Sequence, residues 1–229
     1  MIAVGGSWAV ERFVGPASGF RARAMPGVVD RRVWVHEVDR PALVLGSSQF
    51  DAVVDRSRVD AAGVEVVRRR SGGGAVLLTP GEVLWLDVLV PAGDPLWDAD
   101  VGRSTWWLGD AWVRALAAGA PGEIHVHRGP MIRTPWSALA CFAGVGPGEV
   151  VVAAAATGGS SAKLVGISQR RTRAGARFQC AIYRRHDPAA LPALLALDDV
   201  ERATLTDVLA VAVASTTITE TDLIAALPA

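Results

Sequence analysis

One lysine, one tyrosine and two cysteines are all that these 229 residues hold of those three types. Two thiols, Cys141 and Cys180, cannot build the disulfide framework of a small secreted domain, and they read as reduced cysteines of a cytoplasmic protein. No Cys/His spacing resembles a zinc site, so no resident metal is expected. The longest apolar runs, such as 150–156, fall far short of the ~20 residues that cross a bilayer. The opening Met1-Ile-Ala-Val-Gly-Gly-Ser-Trp8 lacks the basic start and apolar run of a signal peptide. Charge of one sign is also missing. Lys plus Arg and Asp plus Glu number 23 each, so no global field holds nucleic acid or an anionic membrane surface. The arginine runs lack interleaved aromatics, which argues against a stacking platform for single strands. Neither a nucleic acid nor a membrane is expected as a partner.

What is present suffices for a large core: 51% of the residues are hydrophobic and 20% charged. The length fits one domain over residues 1–229. Residues 1–30 read as loop with one short helix. Strands are expected at 32–38, 42–45 and 64–69, with a helix at 55–62 ending on Gly63. The runs 75–78 and 83–90 flank the turn signal Thr79-Pro80-Gly81-Glu82 and read as a β-hairpin. Residues 104–118 read as a helix with Ser104 as N-cap and Gly119 as the stop. Further strands are expected at 123–127, 149–154, 164–169 and 177–183, with a turn or loop at 157–161. Helices are expected at 188–196, 205–214 and 220–227. Strands and helices mix without a βαβα rhythm, which implies α+β with a mixed, largely antiparallel sheet.

Three segments carry candidate chemistry. In Arg68-Arg69-Arg70-Ser71-Gly72-Gly73-Gly74-Ala75-Val76, three glycines let a phosphate or carbonyl approach backbone N–H groups, beside an arginine that can pair with an anion. The alternative is a glycine-rich turn with solvated arginines. The segment matches neither a P-loop nor a dinucleotide fingerprint. The second is Ala162-Lys163-Leu164-Val165-Gly166-Ile167-Ser168-Gln169-Arg170-Arg171. It holds the only lysine, in a chain whose other cationic residues are all arginine. A lysine offers a compact point charge, fit to lie between a carboxylate and a phosphate; a chance surface lysine is the alternative. The third is Ala140-Cys141-Phe142, whose thiol reads as inert filling among small apolar residues or as a nucleophile. His125 and His127 share one face of a strand without a third ligand, which favours a structural or solvated role. The eight tryptophans read as core and pocket lining.

In this order, Arg70 to Val76, Ala140-Cys141-Phe142 and Lys163 to Arg171 resemble the lipoate-protein ligase and octanoyltransferase family, more distantly related to biotin-protein ligases. Leu43-Val44-Leu45-Gly46-Ser47-Ser48-Gln49 looks like that family's strand-plus-glycine approach to its site, and the resemblance covers about residues 41–183.

The resemblance implies a lipoate-protein-ligase-like catalytic domain whose central sheet, flanked by helices, holds an acyl tunnel. It also implies a ligase activity. Lipoate or octanoate is activated by ATP, with Mg2+ accompanying the nucleotide, as the acyl-adenylate. The acyl group then passes to a lysine on a lipoyl carrier domain of a 2-oxoacid dehydrogenase or glycine-cleavage protein. By position Lys163 matches the catalytic lysine that contacts acyl carbonyl and phosphate. Arg70, Ser71, Gly72, Gly73, Gly74, Ala75, Gly166 and Ser168 match the acyl-adenylate-binding residues, Arg70 holding the loop or a phosphate. The Ala140-Cys141-Phe142 context also resembles the nucleophile segment of cysteine-type octanoyltransferases. In that alternative Cys141 forms a thioester and no ATP is used. A non-catalytic acyl- or adenylate-binding homologue is a third reading. Phe178-Gln179-Cys180-Ala181 stands where the family usually shows a His-Gly pair. Residues 184–229 leave room for short helices and no full accessory domain, so a separate accessory subunit is a possible partner.

Overall fold

The structure is a computed structural model that describes residues 2–3, 8–23, 30–153 and 161–229. In chain order the elements are β1 (Ile2–Ala3), β2 (Ala9–Gly15), α1 (Ala17–Ala22), β3 (Arg32–Val38), β4 (Ala42–Leu45), α2 (Arg56–Ala61), β5 (Glu65–Arg68) and β6 (Val76–Leu78). Then follow β7 (Val83–Pro91), α3 (Trp106–Leu116), β8 (Ile124–Val126), β9 (Val150–Val152), β10 (Ala162–Thr172), β11 (Gly175–Tyr183), α4 (Asp199–Ala212) and α5 (Glu220–Ala226).

Eight strands form one sheet in the order β1-β2-β3-β7-β11-β10-β9-β8, and three form a second in the order β5-β4-β6. The large sheet is antiparallel except for β2 beside β3; in the small sheet β4 runs parallel to β5 and antiparallel to β6. This is the mixed, largely antiparallel α+β architecture that the sequence implies.

Period-two alternation sorts the side chains of β7 to the two faces of its sheet. Leu84, Leu86, Val88 and Val90 join a core with Leu108, Trp112, Leu223 and Ile224 of α3 and α5. Val83 and Trp85 join the opposite core with Leu43, Leu45, Val76 and Leu78 of the small sheet and Leu205 and Leu209 of α4. The result is three layers: α3 and α5, the eight-stranded sheet, then the small sheet with α1 and α4. A flat space between the two sheets is therefore lined by both.

Several expectations are corrected. Residues 9–15 are a strand, paired with β3 along its length and with β1 only at Ala9 and Val10; from Glu11 on, half-buried and exposed positions alternate, as one covered face allows. The runs around Thr79–Glu82 do not pair with each other, because β6 belongs to the small sheet and β7 to the large one. The turn carries the chain from one layer to the other. Ser104 does not cap α3; its hydroxyl donates to the Val101 carbonyl and binds Gln169, and a 3-10 turn at Arg103–Thr105 starts the helix. Residues 188–196 hold only a 3-10 turn at Pro192–Leu194. The next helix begins earlier than expected, at Asp199, after the N-cap Asp198, whose capping box with Glu201 satisfies the amides of both residues. The expected turn at 157–161 lies, save for Ser161, outside the described residues. Among the described residues no helix is long and apolar enough to cross a membrane.

Candidate active site

The space between the sheets contains a cavity of about 70 Å3. Val44, Val67, Val76 and Leu78 line it from the small sheet, and Trp85, Gly166, Ser168, Gln179 and Ala181 from the large one. Ala17 of α1 adds to the apolar part. Arg69, Cys141 and Glu149 are its charged or reactive lining. An apolar slot with a few convergent polar groups is the usual form of a small-ligand site.

The three sequence segments meet here. Ser71 Oγ lies 3.2 Å from Ser168 Oγ, joining the glycine loop to the lysine strand β10. Cys141 Sγ would lie 3.8 Å from a Cβ placed on Gly73. The glycines serve two distinct purposes. Gly74 packs so tightly that a Cβ would lie 2.6 Å from the Ala140 backbone, and Gly73 has φ +98°. Gly72 meets nothing within 4 Å. Among the described residues the amides of Gly72, Gly73 and Gly74 donate to no carbonyl; Gly72 and Gly73 are exposed and Gly74 is buried. Ala75 is buried, and its amide donates to the Leu139 carbonyl, so it is a packing residue of the loop.

The arginines divide differently from the sequence reading. Arg70 is exposed and does not hold the loop. Arg69 does: it is buried, donates from Nε and Nη2 to the Gly72 carbonyl, and brings Nη2 within 3.7 Å of Cys141 Sγ. Arg70 instead lies near Arg170. Burial, then the neighbouring charges of Arg70 and Arg177, push the Arg170 guanidinium below its ordinary pKa. Among the described residues no carboxylate pairs with Arg70 or Arg170. Positive charge without a partner, beside free amides, suits an anion.

Lys163 sits one layer behind the cavity wall. It is 1% exposed, and its ammonium donates to Glu149 Oε2 at 2.8 Å and to the Cys141 carbonyl at 2.8 Å. Phe142 lies beside it, the ring centroid 5.0 Å from Nζ. That ring fits because Gly166 has no Cβ; one would stand 3.1 Å from it. Glu149, Cys141 and Phe142 all line the cavity, so Lys163 touches the wall without forming it.

Sequence reasoning missed Glu149 and Arg69. Glu149 had a signal of the same kind as the lone lysine: it is the only acidic residue between Glu123 and Asp187. Cys180 contrasts with Cys141. Burial pushes its thiol up to about 12, which suppresses the thiolate. His125 is exposed, and the ring nitrogen Nε2 of His127 lies 2.7 Å from the Pro130 carbonyl. Among the described residues no three His, Cys, Asp or Glu side chains gather as a metal site.

The layered sheets, the apolar cavity between them and the glycine loop beside it define a small-ligand-binding α+β domain. Residues 22–218 match the family model of the lipoyl protein ligase A/B catalytic domain, and the chain belongs to that family. Similar solved structures include an archaeal bipartite lipoate protein ligase with its E2 lipoyl domain, from Thermoplasma acidophilum. It has a TM-score of 0.65 and 16% identity, covering 87% of this chain and 69% of that one. A T. acidophilum lipoate protein ligase with bound lipoic acid gives a TM-score of 0.59 at 17% identity, covering 97% of this chain and 93% of that one. Lipoate-protein ligase A bound with ATP gives 0.55 at 16%, with the same coverages of 97% and 93%. At these identities the likeness is one of fold. No curated protein matches the chain.

Proposed function

We propose that this chain is an ATP-dependent lipoate- or octanoate-protein ligase: it forms the acyl-adenylate and passes the acyl group to a lysine of a lipoyl carrier domain. The observation that carries this reading is the juxtaposition of an apolar cavity with glycine amides that donate to no carbonyl and two unpaired arginines among the described residues. The acyl chain would lie between the sheets against Val44, Val76, Leu78 and Trp85, which line the cavity. Its activating phosphate would then lie over Gly72, Gly73 and Gly74, with Arg70 and Arg170 balancing its charge. Among the described residues no carboxylate cluster gathers at the site, so Mg2+ would arrive on the nucleotide phosphates and keep much of its water. When bound it would neutralise phosphate charge, as in other nucleotidyl transfers. Lys163, held against the cavity wall, would supply the positive charge that stabilises the charge developing on the acyl carbonyl. The acceptor lysine attacks that carbonyl and releases AMP. Bound lipoic acid and bound ATP in two structural relatives support these substrate classes. The bipartite relative, described with its E2 lipoyl domain, supports a carrier-domain acceptor and an accessory subunit.

The test is acid-dependent exchange of labelled pyrophosphate into ATP by the purified chain. Exchange with lipoate or octanoate that disappears in folded Lys163→Ala is the expected result. No exchange with either acid, with or without candidate accessory proteins, would overturn the adenylate route.

One observation favours a second reading. Cys141 Sγ lines the cavity beside the Arg69 guanidinium, where a thioester donor could deliver an acyl group to it. An octanoyl adduct of Cys141 from an octanoyl thioester, and loss of transfer in Cys141→Ser, would establish that route.

A further inference from the structure

We propose that Glu149 is the positioning residue of this site, acting through Lys163 on the turn that carries Cys141. This rests on the acyl-transfer reading of the cavity.

The carboxylate is held on every side. Glu149 is 4% exposed; Oε1 accepts from the Ile167 amide at 3.1 Å, and Oε2 from the Gly146 amide at 2.6 Å and from Lys163 Nζ at 2.8 Å. Three donors already share its two oxygens, so its role here is to hold its neighbours. What it does is fix a charge in place. Lys163, thus held, donates its other bond to the Cys141 carbonyl at 2.8 Å. Cys141 begins the 3-10 turn Cys141–Ala143, whose thiol and Phe142 ring form the cavity wall next to Gly166. One chain of contacts therefore runs from Glu149 through the ammonium to the backbone that shapes the reacting end of the cavity. Glu149 also ties its own turn at Gly146 to two points of β10, the Ile167 amide and the Lys163 ammonium. Breaking this chain leaves a buried ammonium without a counter-charge and frees the turn, and both would misplace the groups that meet the acyl carbonyl.

A purely packing role and this positioning role rank substitutions in opposite orders. Gln is isosteric with Glu but uncharged; Asp is smaller but keeps the charge. The full chain is compared with Glu149→Gln, Glu149→Asp and the double variant Glu149→Gln/Lys163→Met by melting, pyrophosphate-exchange kinetics and deuterium uptake of residues 140–143. The expected result for Glu149→Gln is a kcat lower by about 50-fold or more with KM for the acid within about 3-fold, the mark of lost transition-state interaction. Glu149→Asp keeps more kcat than Glu149→Gln. The double variant regains melting temperature, because no charge is left unpaired, yet stays inactive. Deuterium uptake at 140–143 rises about tenfold in Glu149→Gln while α3 is unchanged, as expected for a local opening. Wild-type kcat in folded Glu149→Gln overturns the proposal, as does a better rescue by Gln than by Asp. Should the wild type exchange no pyrophosphate, the ligase reading fails alone. The deuterium arm then decides for Glu149, and unchanged uptake at 140–143 overturns it.

Discussion

Gly46 and Gly72 stand on the two strands of one loop crossing and are glycine for opposite reasons. A Cβ on Gly46 would lie 1.8 Å from the Gly73 carbonyl oxygen, a backbone atom with nowhere to go. Gly46→Ala is therefore expected to cost about 3 kcal/mol by overpacking, read in chemical denaturation. At Gly72 nothing lies within 4 Å. Gly72→Ala should leave stability within about 0.5 kcal/mol of wild type. It should still depress pyrophosphate exchange, because a methyl group would stand where the phosphate approaches. Full exchange by Gly72→Ala would mean that these amides hold no phosphate. The sequence shows three glycines in a row but not which of them is spent on packing and which on a ligand, since that depends on segments 27 and 66 residues away in Gly46 and Ala140. Composition was more telling for charge. A lysine that is alone among arginines and an acid that is alone between Glu123 and Asp187 turn out to be partners.

At the scale of elements, the large sheet is stitched by polar groups as well as by its ladders. His36 of β3 and Arg177 of β11 both bind Asp87 of β7, at 2.7 Å from His36 Nε2 and 2.9 Å from Arg177 Nε. Arg177 also donates to the Phe20 and Arg23 carbonyls at the end of α1, tying that helix over the cavity. Burial pushes the Asp87 carboxyl up, but His36 and Arg177 together outweigh it and the net shift is downward. A carboxyl with a lowered folded pKa contributes stability that is complete above its unfolded value of about 3.9 and is lost as pH falls below it. Asp87→Asn is expected to cost about 3–5 kcal/mol near neutrality, by leaving the buried Arg177 guanidinium uncompensated. It should also flatten the acid limb of the stability curve below about pH 4. Equal acid sensitivity of variant and wild type would remove Asp87 from that limb. None of this network is legible in sequence, where the three residues are about 50 and 90 positions apart. The elements themselves were mostly legible, because alternation and capping are local. The supposed hairpin at 75–90 failed for a tertiary reason: a turn between two apolar runs looks the same whether the runs pair or part into different sheets.

Over the whole molecule the charges cancel, yet their placement does not. Most arginines outside the site are answered by carboxylates, as Arg31 is by Asp94 and Arg103 by Asp98. Arg70 and Arg170 have no carboxylate partner among the described residues, and the guanidinium of Arg170 is pushed below its ordinary pKa by burial and then by Arg70 and Arg177. A neutral protein thus keeps a local positive field beside one cavity, where an arriving polyanion would relieve repulsion already present in the free chain. Anion binding should consequently stabilise the fold. At a hundredfold excess over its Kd, pyrophosphate or ATP would add about 2.7 kcal/mol, which is a melting shift of roughly 5–10 °C at this length. Arg70→Ala/Arg170→Ala should abolish that shift while melting, without ligand, within a few degrees of wild type, since removing two repelling charges breaks no ion pair. The shift should also shrink with added salt as screening weakens the field. A double variant that still gains stability from pyrophosphate would place the anion elsewhere, and with it the phosphate of the activated acyl group.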